Sequence, residues 1–257
     1  MFIPVGVSVV FHLFMYAIAC TSLYRAVAFV HEIIHQRGNK KFCWLFTLVW
    51  HFTAGAIAFM PTSVFLHHLE HHSINIFGTE RDDQYFLWRS PKNFLLLFVV
   101  VPLVMPLLNL GRSLIPPCGF NRLKSKARKI TAPNGKLRLS KIERIFYGNI
   151  EKVYFFWGWI FIITLPLVPS IHMWWYLVSV GAWFLSALRV PLEHDLRKKR
   201  VNVSFQDQID DSFNFKRSWK NPVRSLYSLI VQPVGLNWHQ KHHQHPYAPY
   251  YKLKEIK

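Results

Sequence analysis

The sequence predicts an all-α, multi-pass membrane protein: transmembrane helices, further interfacial helices and a histidine-rich cap on the cytoplasmic side, in a single domain spanning 1–257. Three observations predict it. The composition is 51% hydrophobic and 16% aromatic, more apolar than an ordinary soluble domain. Two long stretches, Phe2 to Tyr24 and Val153 to Leu188, contain no Asp, Glu, Lys or Arg, and a bilayer core takes about 20 apolar residues per helix. Lysine and arginine gather in 37–41, 112–152 and 197–257 and are missing before Arg25 and around Pro169.

Taken in order, residues 2–30 read as one long spanning helix. No basic residue precedes Arg25, so the segment reads as a retained span rather than a signal peptide. Residues 42–66 are apolar but contain His51, Thr53, Gly55 and Pro61, and 93–111 are interrupted by Pro102 and Pro106. Both are expected to be interfacial or re-entrant. Residues 112–152 read as a basic linker with turn signals at Pro116-Pro117 and Pro133-Asn134-Gly135. A hairpin follows, with spans at about 153–169 and 171–190. Its last helix is expected to continue through Arg189 to His194. Residues 195–257 form a polar tail.

The net charge of +18 does not imply nucleic acid, because the basic residues follow the loops. The positive-inside rule places those loops in the cytoplasm. Such a surface favours anionic headgroups and an acidic redox partner. Cys20, Cys43 and Cys118 form no CxxC pair and read as reduced, structural residues.

Three histidine clusters stand beside the apolar segments: His31-Glu32-Ile33-Ile34-His35, His67-His68-Leu69-Glu70-His71-His72 and His239-Gln240-Lys241-His242-His243. Residues at i, i+3 and i+4 share a helix face. His31 with His35, His68 with His71 and His72, and His239 with His242 and His243 therefore point together. Eight imidazoles exceed what one metal takes, so two metals are implied, and nitrogen ligation suits iron, copper or zinc. Metal-bound histidines usually give their other N–H to a carboxylate or carbonyl. Glu32, Glu70, Glu193 and Asp195 adjoin candidate ligands and are expected to serve this way; Asp82 and Asp83 follow the second cluster. His67 and His245 lie off the shared faces. His12 lies within the first span, where it could line a substrate tunnel. His51 reads as a surface or packing residue, and His172 lies at the hairpin tip.

Together the boxes resemble the membrane fatty-acid desaturase/hydroxylase superfamily. The run Pro233-Val-Gly-Leu-Asn237-Trp-His239-Gln-Lys-His242-His243-Gln-His-Pro246-Tyr-Ala-Pro249-Tyr-Tyr251-Lys-Leu253 follows that family's P-x-x-x-N-[YW]-H-x-x-H-H-x-x-P-x-x-P-x-Y-x-L pattern. Gly78 to Asp83 resembles its acidic stretch. Arg189 to Glu193-His194 resembles an R-x-x-x-E-H segment whose histidine is a further ligand. The resemblance implies nine metal ligands: His31, His35, His68, His71, His72, His194, His239, His242 and His243. It places Asn237 beside them. It also implies two iron ions, O2 as co-substrate and a lipid substrate drawn from the bilayer. The expected reaction is insertion of a double bond into a fatty-acyl chain, with lipid or carotenoid hydroxylation or ketolation as the alternative. No haem, flavin or iron–sulfur motif is evident, so electrons are expected from an external donor such as a ferredoxin or cytochrome b5-type protein. Box one reads HExxH and a single apolar segment precedes it, both departures from the usual family pattern.

Two other classes share part of this pattern. HExxH on a helix is also the signature of a zinc protease with Glu32 as general base, which leaves both HxxHH boxes unexplained. A metal transporter would place its ligands near the bilayer midplane, whereas these clusters lie at span ends and in the tail.

Overall fold

The computed structural model describes residues 5–36, 40–79, 82, 93, 95–116, 141–195 and 203–256. Asp83, Cys118, the Pro133-Asn134-Gly135 turn and the Arg197–Arg200 run lie outside the described residues, as do the side chains of His67 and Glu70.

The charge-free N-terminal stretch forms α1 (Val5–His35). It continues past the predicted end and carries box one in its last turn. After it come α2 (Lys40–Phe52) and α3 (Ala54–Ala58), a 3-10 turn (Thr62–His67) and α4 (His68–His71). The apolar part of α2, Cys43–Phe52, is too short to cross a bilayer alone. Trp50 Nε1 donates to Met60 O (2.7 Å) and folds this segment back on itself. His51 is fully buried, with Nδ1 2.9 Å from Tyr154 Oη. It is a packing residue and not a surface one.

The segment expected to be broken by prolines is one continuous helical run. A π turn (Leu96–Val100) leads into α5 (Val101–Ser113). Pro102 follows directly on the π turn, and Pro106 is accommodated inside the helix. At 18 residues, Leu96–Ser113 has the length and hydropathy of a span. The hairpin consists of α6 (Lys141–Thr164) and α7 (Pro169–Glu193). The α6 helix begins inside the expected basic linker, and the turn falls before Pro169 rather than at it. Ser8–His35, Leu96–Ser113 and Pro169–Glu193 are each long and apolar enough to cross a membrane.

The α7 helix packs against both α1 and α5. At Gly181 an added Cβ would meet Cys20 Sγ at 2.4 Å, so α1 and α7 approach closely. The buried cluster there contains Leu23, Tyr24, Val30, Ile34 and Ala182. Large apolar side chains on the outer surfaces stay exposed, including Val10, Phe14, Ile163 and Leu167, as lipid-facing helices require. The tail adds α8 (Phe205–Asp210), α9 (Pro222–Val231), α10 (His239–Gln244) and α11 (Tyr250–Leu253). Ser204 and Asp207 form a capping box on α8. Leu236, Tyr250 and Leu253 bury against Ala28 and fasten the tail to α1.

Candidate metal centre

Both α1 and α7 end at the same place, and their C-terminal turns supply His31, His35 and His194. Short backbone pairings bring the tail there. Phe213 N donates to Glu193 O (2.9 Å), Asp195 N to Asp211 O (2.8 Å) and Phe215 N to Asn237 O (2.6 Å). Isolated bridges join His194 to Ser212 and Asn214 to Trp238. The chain is thus stitched from the end of α7 to the start of α10, which sets His194 beside His239.

All nine predicted histidines converge, in two groups. One contains His31, His35, His68, His72 and His242; the other contains His71, His194, His239 and His243. Within each group the candidate ligand atoms lie within 4.8 Å of one another. Every one of the nine is buried except His72, which is half-buried.

The nitrogens face inward. In the second group His194 Nε2 is 3.2 Å from His71 Nε2 and 2.9 Å from His239 Nε2, which is 3.2 Å from His243 Nε2. In the first, His72 Nε2 is 3.0 Å from His68 Nε2 and His242 Nε2 is 3.2 Å from His35 Nε2. His31 Nε2 is buried without a hydrogen-bond partner. A neutral imidazole nitrogen offers either one proton or one lone pair. A run of four such nitrogens cannot be satisfied by simple hydrogen bonds, and a cation among them resolves the conflict. Ligands about 2.1 Å from one metal sit about 3 Å apart, which is the spacing found. The residues therefore fit a pair of metal ions. Burial, followed by the neighbouring imidazoles, holds His68, His72, His194, His239, His242 and His243 well below the ordinary imidazole value of 6.5. They are neutral, the form a metal needs.

The outer nitrogens have mixed partners. His71 Nδ1 is 2.8 Å from Asp82 Oδ2, which also accepts the Gly78 amide at 3.0 Å. Ser212 Oγ lies 3.4 Å from His194 Nδ1. Glu193 is fully buried, and its Oε2 is 3.8 Å from His239 Nδ1 and 3.5 Å from Arg189 Nε. It faces box three across a gap longer than a hydrogen bond. Glu32 differs from its expected role. It accepts the Tyr250 amide (3.3 Å), and the Tyr250 hydroxyl, 2.6 Å from His31 Nδ1, occupies the position expected for a carboxylate. Asn237 bonds the Phe215 carbonyl through Nδ2 (3.0 Å) and shapes the backbone instead of touching a histidine. Asp195 contributes its amide to the pairing with Asp211. His245 is exposed, and His172 is held by Phe161 O and Val168 O away from both groups. Sequence reasoning missed Tyr250 and Ser212. Tyr250 stands next to the motif tyrosine, Tyr251, and nothing in the sequence distinguishes the two; the structure buries Tyr250 and leaves Tyr251 exposed.

Two cavities lie along α1. One of about 40 Å³ lies between α1 and α7 and is lined by Leu23, Val27, Met60, Phe65, Ala182 and Trp183, among others. A larger one, about 520 Å³, lies between α1 and the tail, with Glu32 and Tyr250 in its wall.

The profile of the fatty acid desaturase family matches residues 7–257. A ceramide hydroxylase of Caulobacter vibrioides (strain NA1000 / CB15N) is 27% identical over 247 residues, covering 90% of this chain and 68% of that protein. No solved structure matches the chain. The chain belongs to the fatty acid desaturase family.

Proposed function

We propose that this member of the fatty acid desaturase family holds two iron ions in its two histidine groups and oxidises a C–H bond of a membrane lipid with O2. The observation that carries the reading is the convergence of nine imidazoles, in groups of five and four, at one end of an apolar bundle. Nitrogen-only ligation of this kind suits iron. When bound, such a pair of ions supplies reduction of O2 and abstraction of hydrogen from an unactivated carbon. The protein's own part is to orient the histidines through Asp82, Ser212 and Tyr250, to exclude water and to hold the lipid chain near the small cavity between α1 and α7.

Both outcomes consume O2, two electrons and two protons. Hydroxylation leaves one oxygen atom in the lipid and one in water; desaturation removes two hydrogens from the lipid and sends both oxygen atoms to water. Similarity to a protein named ceramide hydroxylase supports hydroxylation. Desaturation is the second reading, supported by the box-three run. Electrons come from a separate donor, a ferredoxin or cytochrome b5-type protein, whose acidic surface suits the basic tail (Lys216, Arg217, Lys220, Arg224). The basic loops support a cytoplasmic orientation of the centre.

The test compares lipids from cells expressing the wild type and the His242→Ala/His243→Ala variant, which removes one imidazole from each group. A wild-type-dependent lipid gaining one oxygen is the expected result; a lipid losing two hydrogens supports the second reading. Identical profiles overturn both. Zinc in place of iron in the purified protein overturns the di-iron assignment.

A further inference from the structure

The tail carries a helix whose polarity is inverted. On α9 (Pro222–Val231), Val223, Leu226 and Ile230 share one face, while Ser225, Ser228 and the capping Gln232 share the opposite one. A helix that covers a protein core in water turns its apolar side inward. Here the serines and Gln232 turn inward and the apolar side turns out. Ser228 and Gln232 are fully buried, whereas Val223 is 78% and Leu226 58% exposed. Tyr227 and Leu229 flank that strip and are exposed too, and Trp219, just before the helix, is 97% exposed.

Hydrogen bonds fix the helix this way round. Ser225 Oγ donates to Ser218 O (2.9 Å) and accepts the Ser218 amide (2.8 Å). Ser228 Oγ donates to Gln232 Oε1 (3.1 Å). Arg217 Nη2 donates to Ser228 O (3.3 Å) and to Gln232 O (2.7 Å). The Arg224 guanidinium lies over the Phe215 ring, 4.3 Å from its centre. Both arginines are thus drawn onto the protein, and the outer strip carries no charge. Turning the helix over to hide its apolar side would break these bonds and leave their polar groups unpaired, at a cost for each one that stays buried.

The place of α9 in the molecule says what covers the strip. The helix packs against α7, which exposes Leu177 and Phe184 on its own outer surface. Its last residue meets α1, where the Tyr24 hydroxyl donates to Val231 O (2.5 Å). Tyr24 stands seven residues before His31, about 10 Å along the helix on the membrane side of box one. Lys216 and Lys220 are exposed ahead of the helix and give its rim the positive charge that suits anionic headgroups. An uncharged apolar face, a tryptophan at its edge and lysines beside it form the pattern of a helix lying in the membrane interface.

We propose that α9 lies in the plane of the bilayer interface, with Trp219, Val223, Leu226 and Leu229 against lipid and the serine face against the protein. The segment that the sequence presents as a polar tail is then anchored in the membrane at its middle. The anchor ends at Gln232, and Pro233 to Leu236 lead from it almost directly into box three. It therefore holds His239, His242 and His243 at the bilayer surface. The proposal depends neither on the metal that the histidines hold nor on the lipid that is oxidised.

The test puts the photo-crosslinking residue p-benzoylphenylalanine in place of Val223, Leu226 or Tyr247, one at a time. The full-length chain is held in vesicles of phosphatidylcholine and phosphatidylglycerol, and adducts are read by mass spectrometry. Tyr247, an exposed tail residue outside α9, is the control. Lipid adducts are expected at Val223 and Leu226 and none at Tyr247. Peptide adducts at the two α9 positions, from a second copy or from another part of the chain, overturn the proposal. So do lipid adducts at all three positions, or none at the two on α9. A second measurement uses single substitutions in the same vesicles. Leu226→Asp should lower the melting temperature by at least about 4 °C, because it turns a carboxylate toward lipid, and Tyr247→Asp should leave it unchanged. A leucine facing water accepts aspartate with little loss, so an unchanged melting temperature for Leu226→Asp also overturns the proposal.

Discussion

His194 illustrates how much one side chain can decide. It joins the group of four, where its Nε2 touches those of both His71 and His239. Replacing it with alanine leaves that group three histidines and leaves the group of five intact. We expect His194→Ala to lower retained metal from about two ions per chain toward about one, read by elemental analysis of the purified protein; an unchanged value contradicts the grouping. Asp82 acts one bond further out, on His71 Nδ1. Asp82→Asn should weaken metal about 10–100-fold, measured by chelator competition. Protons compete as well. The six histidines described above have folded values held below 6.5, so below about pH 6.5 the unfolded chain binds more protons than the folded one. Their contribution to stability is fully present above that pH and is lost as pH falls. The metal-free protein should therefore melt at a lower temperature from about pH 6.5 downward, and one that melts higher in acid would show these histidines to be charged in the fold. At this scale the eight spaced histidines were readable because a helix repeats every 3.6 residues. Tyr250 and Ser212 were not, because their contacts with His31 and His194 depend on where the tail lies.

The elements that matter most are α1 and α7, since their ends supply three of the nine imidazoles. Their approach depends on Gly181, where Cys20 Sγ and Tyr16 Oη lie 2.4 and 2.8 Å from where a Cβ would be. Gly181→Leu should destabilise the protein by about 1–3 kcal/mol through overpacking and spread the two helix ends. Lower thermal stability in detergent together with reduced metal is the expected result; normal metal content at normal stability argues against close packing here. The α1 and α7 helices were readable as charge-free runs. The α5 helix was not, because proline in a helix interior ordinarily breaks it, whereas here Pro102 follows a π turn and Pro106 is carried inside the same run. The start of α6 was missed for a related reason: Lys141 to Lys152 is polar enough to read as linker.

For the molecule as a whole, the basic segments and the metal centre are expected on the cytoplasmic side. A tag following Lys257 should be open to protease from that side of sealed membranes and protected from the other; the opposite result reverses the orientation. The three boxes and His194 meet at the C-terminal ends of α1 and α7 whatever path the intervening segments take.

The helical class, the apolar runs and eight of the histidines were legible in the sequence, because periodicity, charge exclusion and spacing are local properties written along the chain; His194 came from the resemblance of Arg189–His194 to a family segment. Only the tertiary structure decided how nine imidazoles divide into five and four. That division mixes boxes, with His68 and His72 in one group and their neighbour His71 in the other. It arises because side chains on adjacent faces of one short helix are pulled to different partners by α1 and α7. The same long-range packing placed the Tyr250 hydroxyl on His31 and Glu193 within 3.8 Å of His239.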